Sequence, residues 1–249
     1  DEKNFFIKNF EHNKIIYING FVDSIDFGYE ETNKIEVEED LNLTKINNQN
    51  NTLISLNNAL LSNYIKVIVK QNYHLNKPLI IYNITNKKLN SKAVNLRTDI
   101  ILEKKSSIKI VTLSNDKSKD NFININQNFD ISQDAILKNY KIDSIDNSNI
   151  KYFFNNINLE HNSIAETFIF SKGSKFNKNE INCNLNGKYS SAFINGVMNL
   201  NNSKHHEIKT NINHLVENTK SYQLVKSVLN DNSKGVYQGK IFVDSKAQK

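Results

Sequence analysis

Cysteine, proline and arginine are almost missing from this sequence. Cys183, Pro78 and Arg97 are the only residues of their kinds, and seven glycines serve 249 positions. A lone cysteine forbids an intrachain disulfide and makes a reducing, cytoplasmic setting the expectation. Seven glycines are too few for many tight Asn-Gly or Gly-X hairpins, which need positive φ in a two-residue turn. No run of about 18 apolar residues occurs, so no helix is expected to span a membrane. Arginine is the favoured reader of bases, and one copy gives no basis for a specific nucleic-acid interface. The formal charge of +6 comes from lysines scattered among glutamates and asparagines. Such mixing reads as a solvated coat, not as a basic patch interleaved with aromatics.

What is abundant is asparagine, about a fifth of the chain, followed by lysine and isoleucine. All three draw on A/T-rich codons, so part of the bias belongs to the genome. Short β-rich bursts dominate from Ile65 onward, separated by Asn, Ser, Asp and Lys. They begin near Ile65, Leu79, Asn95, Ser107, Asn121, Ala135, Lys151, Ala165, Glu180, Ser191, Glu207, Ser221 and Gly235. The step is about 14 residues, which points to a sandwich, a barrel or a solenoid.

Two details favour the solenoid. Asparagine suits the bends of a stacked coil, because it tolerates the left-handed conformation and its side chain caps nearby backbone groups. Alternation is strict in "HHEIKTNINH", where His206, Ile208, Thr210, Ile212 and His214 share one face and Glu207, Lys209, Asn211 and Asn213 the other. The first face is narrow and of small-to-medium residues, as the inside of a parallel β-helix requires. A sandwich stays open on these grounds alone.

The first 62 residues read differently and are set apart from a β-helix core at 63–249. "KIIYING" resembles an edge strand closing on a turn at Asn19-Gly20. "GYEETNKIEVEEDLNLTKI" is acidic and expected to loop over the surface. "NTLISLNNALLSN" places Leu53, Leu56 and Leu60 at helical spacing, and a helix there is expected to cap the open first coil.

The closing stretch carries a resemblance. In "HHEIKTNINHLVENTKSYQLVKSVLNDNSKGVYQGKIFVDSKAQK", His206 before an acid, His214, Thr219 to Ser221, Gln223, Lys226, Val236 to Ile241 and Ala247 to Lys249 are similar to the SufB/SufD family of the SUF iron–sulfur cluster assembly system. "NTLISLNNALLSNYIKVIVKQNYHLNKPLIIYNI" and "YING" resemble the family's N-terminal segments. Asn63-Tyr64 departs from them, since a small residue and glycine are expected there. The ending "GKIFVDSKAQK" resembles the SufD branch, whereas "CNLNG" from Cys183 is similar to a SufB strand bearing a sulfur-accepting cysteine. The resemblance implies an all-β fold, a right-handed parallel β-helix. It implies a scaffold subunit, not an enzyme, that pairs with a SufB-like paralogue and a SufC-like ATPase. It further implies a transient Fe–S cluster in the full complex. The family's SufC-binding helical domain lies C-terminal to this stretch, so the chain is expected to be a core fragment that does not capture SufC alone.

Few residues are candidates for chemistry. Cys183 could accept sulfur as a thiolate if a neighbouring cation lowered its pKa. Its other reading is a small buried hydrophobe sharing a face with Ile181 and Leu185. One thiol cannot hold a permanent Fe–S cluster, so no cofactor is expected to be bound. His206 and His214 are expected to point inward. Eight residues of extended strand separate them by roughly 26 Å, too far to share a metal ion, and Glu207 faces the other way. No P-loop, nucleotide fingerprint or catalytic triad is present. The competing function class is a polysaccharide-binding β-helix, which needs a groove of clustered aromatics and acids, and none is evident in the sequence.

Overall fold

A computed structural model of the chain describes residues 5–39, 51–61 and 63–248. Its strands are β1 (Asn13–Ile18), β2 (Phe21–Asp26), β3 (Ile35–Glu38), β4 (Asn63–Val69), β5 (Leu79–Thr85), β6 (Ala93–Leu102), β7 (Ser107–Asp116) and β8 (Phe122–Ile131). The series continues with β9 (Ile136–Asp143), β10 (Asn147–Leu159), β11 (Ile164–Ser171), β12 (Ser174–Leu185), β13 (Ser191–Leu200), β14 (His205–His214), β15 (Lys220–Leu229) and β16 (Lys234–Val243). One helix, α1 (Thr52–Ala59), precedes β4.

From β4 onward the odd strands pair in parallel with odd strands and the even with even, forming two eight-stranded sheets. Each coil therefore takes one even and one odd strand, and the chain winds a parallel β-solenoid of about 6 turns. The spacing of about 14 residues in the sequence is half a coil. Register makes this concrete: Phe129, Ile157, Cys183 and Ile212 stack in adjacent strands of the even sheet. Buried side chains alternate along β9, β11, β12 and β14, and the inward set forms one continuous core from Ile15 to Ile212.

The corners explain the asparagines. Among non-glycine residues, positive φ occurs at Asn9, Asn19, Asn33, Asn72, Asn162, Asn202 and Asn218, at Asp120, Asp134 and Asp231, and also at Ser91, Lys105, Tyr189 and Ser203. Gly20 is the one glycine with positive φ among the described residues. Asparagine thus does the left-handed work that glycine usually does. Asparagines also ladder along the outside of the even sheet: Asn182 donates to Asn156 at 2.8 Å and Asn184 to Asn158 at 2.9 Å. Stacked amides of this kind pair one coil with the next.

Glycine is kept for close approach. A Cβ on Gly187 would lie 2.0 Å from the backbone nitrogen of His161 in the preceding coil. Gly187→Ala is expected to destabilise the protein by about 1–3 kcal/mol, the usual cost of forcing atoms into a packed site. Urea unfolding monitored by circular dichroism checks this; an unchanged midpoint would mean the corner yields freely.

The N-terminal segment departs from expectation in three ways. β1 is an interior strand, pairing in parallel with β5 and antiparallel with β2, which forms the edge beyond the Asn19-Gly20 turn. The acidic stretch expected as a loop contains β3, which pairs antiparallel with β4; its residues 40–46 lie outside the described residues. Helix α1 forms where expected but does not cover the end of the first coil. It lies on the outer flank of the even sheet, where Ile54 packs with Tyr152 and Phe154. Asn57 donates to the carbonyls of Leu96 and Asn124, while Leu56 and Leu60 are exposed. The physical reason is plain. A coil end presents unpaired N–H and C=O groups, and strands β2 and β3 can satisfy them where a helix cannot. Tyr64, one of the departures from the family pattern, rests its ring 5.2 Å from the Arg97 guanidinium and donates to Asp99 at 2.9 Å.

Candidate functional site

The interior is divided between two chemistries. Toward the C-terminal ends of the even strands it is aliphatic, and Cys183 sits there, fully buried between its register neighbours Ile157 and Ile212. Burial pushes its thiol up to about 12. No cation offsets that shift, so the group is protonated at neutral pH and carries none of the thiolate character that sulfur transfer needs.

The other half is polar and charged. It forms where odd strands end and even strands begin. Lys151, Asp116 and Asp143 make a buried ion triad: Nζ contacts Asp116 Oδ2 and lies 2.7 Å from Asp143 Oδ1, and both side-chain pairs are at most 2% exposed. Burial opposes the charge on Lys151, yet the two carboxylates outweigh it and hold the ammonium above its usual range. Burial likewise opposes the charge on Asp143, but Lys151 and the hydroxyl of Ser174 at 2.9 Å prevail, and its pKa is lowered. Asn177 Nδ2 donates to Asp143 Oδ2 at 2.7 Å and to Ser171 Oγ at 3.3 Å.

His206 closes this seam. Its Nε2 lies 2.7 Å from the carbonyl of Ser174, an acceptor only, so Nε2 holds the proton and Nδ1 accepts from Ser171 Oγ at 2.8 Å. Burial lowers its pKa below 6.5. An unfolded histidine takes its proton first as pH falls, so this contribution to stability is complete above about 6.5 and is lost as pH drops through the folded value. Wild-type protein is expected to lose stability below pH 6.5 more steeply than His206→Gln, as measured by urea midpoints from pH 7.5 to 5. His214 is only half-buried at the end of β14, with Thr219 and Ser221 hydroxyls 2.7 and 2.9 Å from its ring nitrogens.

A second buried lysine, Lys141, has no carboxylate contact. Its Nζ meets Asn179 Oδ1 and lies over the ring of Phe153. Burial drives its pKa well below the ordinary lysine value, with Asp143 only partly opposing and Lys151 adding to the shift.

The candidate residues are not brought together. Asn177 pairs with His206 in register and Cys183 is six residues farther along the same strand, roughly 20 Å at the rise of a β-strand. His205 faces outward and contacts Glu207 at 3.1 Å. Among the described residues no group of three or more His, Cys, Asp or Glu could hold a metal ion. None of the described helices is long and apolar enough to cross a membrane. The ion triad and Lys141 were not foreseen. The signal was present, since stepping by two from Leu159 reaches Lys151, and stepping by two from Leu137 reaches Lys141 and Asp143.

The described residues thus form a parallel β-solenoid whose lumen holds a buried ion triad and a sequestered thiol. A family model described as the SufBD core domain of SUF-system FeS cluster assembly matches residues 81–249. The chain therefore belongs to the SufB/SufD family, which places it in SUF iron–sulfur cluster assembly within a SUF complex. A comparison with curated proteins found no match.

Proposed function

We propose that the chain is the SufD-type scaffold subunit of a cytoplasmic SUF complex, pairing with a SufB-like paralogue and working with a SufC-like ATPase, without catalysis of its own. The observation that carries the SufD assignment is the burial of Cys183 in an aliphatic stack. A sulfur-accepting strand needs an accessible, ionisable thiol, and this environment opposes both properties. The experiment is mass spectrometry of the complex after incubation with a cysteine desulfurase and cysteine. No sulfane sulfur is expected on the Cys183 peptide, and Cys183→Ala should cost about 1 kcal/mol or less, because a small side chain leaves a small cavity. Added mass of one sulfur at Cys183 in folded protein would overturn the assignment.

Saccharide binding is a second reading with one observation behind it. On the outer face of the odd sheet Tyr140 lies beside Phe168, and Phe193 beside Tyr222. Tyr140, Phe168 and Phe193 flank a cleft of about 350 Å³ that also takes in Glu166 and Asn195. The sequence hid these two pairs because the members of each sit one coil apart. Glu166 is held by Lys138 at 3.0 Å, which occupies the acid that a sugar hydroxyl would use. Titration with mixed oligosaccharides, followed by tyrosine fluorescence, separates the readings: the scaffold reading expects no change.

A further inference from the structure

A small cavity of about 10 Å³ lies beside the first two coils; its wall is mostly apolar, from Tyr17, Val94, Leu96 and Ile123 among others, and Asn83, Thr85, Ser114 and Asp116 also border it. That is the space of about one water molecule. Asn83 faces it from β5, in register beside Ser114 of β7, with Thr85 beside Asp116. Asn83 is 6% exposed, and its Oδ1 and Nδ2 are both buried without a protein partner. A buried amide left unpaired bears its full desolvation cost, so such groups are nearly always satisfied in folded proteins.

We propose that this cavity is a resident water site. It offers an amide donor and acceptor from Asn83, the hydroxyls of Thr85 and Ser114, and the Asp116 carboxylate, which supply the two to four partners a buried water needs. Most of the wall is apolar, so the case for water rests on the Asn83 amide, whose donor and acceptor have no protein partner. A monovalent cation of similar size is disfavoured, because Asp116 already pairs with Lys151 and a second positive charge would sit beside the first. The position gives the water a role. Asp116 is one end of the buried ion triad, and Thr85 donates to its Oδ1 at 3.1 Å. The water thus solvates that triad at its N-terminal end.

Two measurements on the full chain test this. A crystal structure is expected to show a single density peak within hydrogen-bond distance of the Asn83 amide. Oxygen-17 relaxation dispersion is expected to report one fewer long-lived internal water in Asn83→Leu, whose side chain fills the cavity and removes the amide. A dry cavity in the wild type would overturn the proposal, as would an unchanged count in the folded variant or a peak with the short contacts of a metal ion. If Asn83→Leu does not fold, the wild-type density decides alone.

Discussion

Lys151→Met will lower the free energy of unfolding by about 3–5 kcal/mol, the range seen when one member of a buried ion pair is removed. The substitution nearly conserves volume, so the loss is electrostatic. Without the ammonium, Asp116 and Asp143 remain inside the solenoid as carboxylates with no ion-pair partner in contact. They will take up protons, and their folded pKa values will rise above the unfolded carboxylate value. The sign follows: the folded variant binds more protons than the unfolded chain, so its stability falls as pH rises through that window and partly recovers in acid. Wild type behaves in the opposite sense, because Asp143 is depressed in the folded state. Adding Asp116→Asn and Asp143→Asn to Lys151→Met should restore part of the loss, since neutral amides cost less to bury than unpaired carboxylates. Urea midpoints with an unchanged m-value check each step.

Lys141→Met should do the reverse and stabilise the protein. Lys141 is buried with no carboxylate in contact, and its folded pKa lies well below 10.5. At neutral pH the chain must give up a proton, or carry an uncompensated charge, in order to fold. Burial disfavours the charged ammonium, so a rise in the free energy of unfolding at neutral pH is expected from replacing it with an apolar side chain. The gain must shrink with rising pH. Above about pH 10.5 the unfolded lysine is neutral too and the penalty vanishes. The difference between wild type and variant should therefore narrow between pH 7 and 9.5. A constant difference would mean that packing, not protonation, separates them.

These two lysines also mark how far the sequence could be read. All thirteen strands from Ile65 onward were legible, because turn residues punctuate them and β-branched residues fill them. So was the inward set on β14, where His206, Ile208, Thr210 and Ile212 are buried and only His214, at the strand end, is half-exposed. The lysines were hidden by a sound prior, since lysine almost never lies fully inside unless it is paired. Their partners could not be named from the sequence. Asp116 reaches Lys151 across two sheets, and only the register of the coils brings them together. The same holds for Tyr140, Phe168 and Phe193 on the outside. Strand β3 was missed because four residues of alternating acid and aliphatic, Ile35 to Glu38, look like loop until β4 supplies its partner. The placement of α1 was lost for a related reason. Leu53, Leu56 and Leu60 form a helical stripe, but the docking contacts come from Ile54 and the amide of Asn57.

Affinity capture separates the proposed SufD-type scaffold subunit from a solenoid that works outside a SUF complex. The full-length protein should be tagged, co-expressed with SufB-like and SufC-like partners, and the captured complex weighed by native mass spectrometry. A heteromeric assembly containing one copy each of this chain and the SufB-like subunit, with the ATPase attached, is the expected result. Capture of the tagged chain alone, or only as a complex with itself while the SufB-like and SufC-like proteins assemble without it, would contradict the proposal.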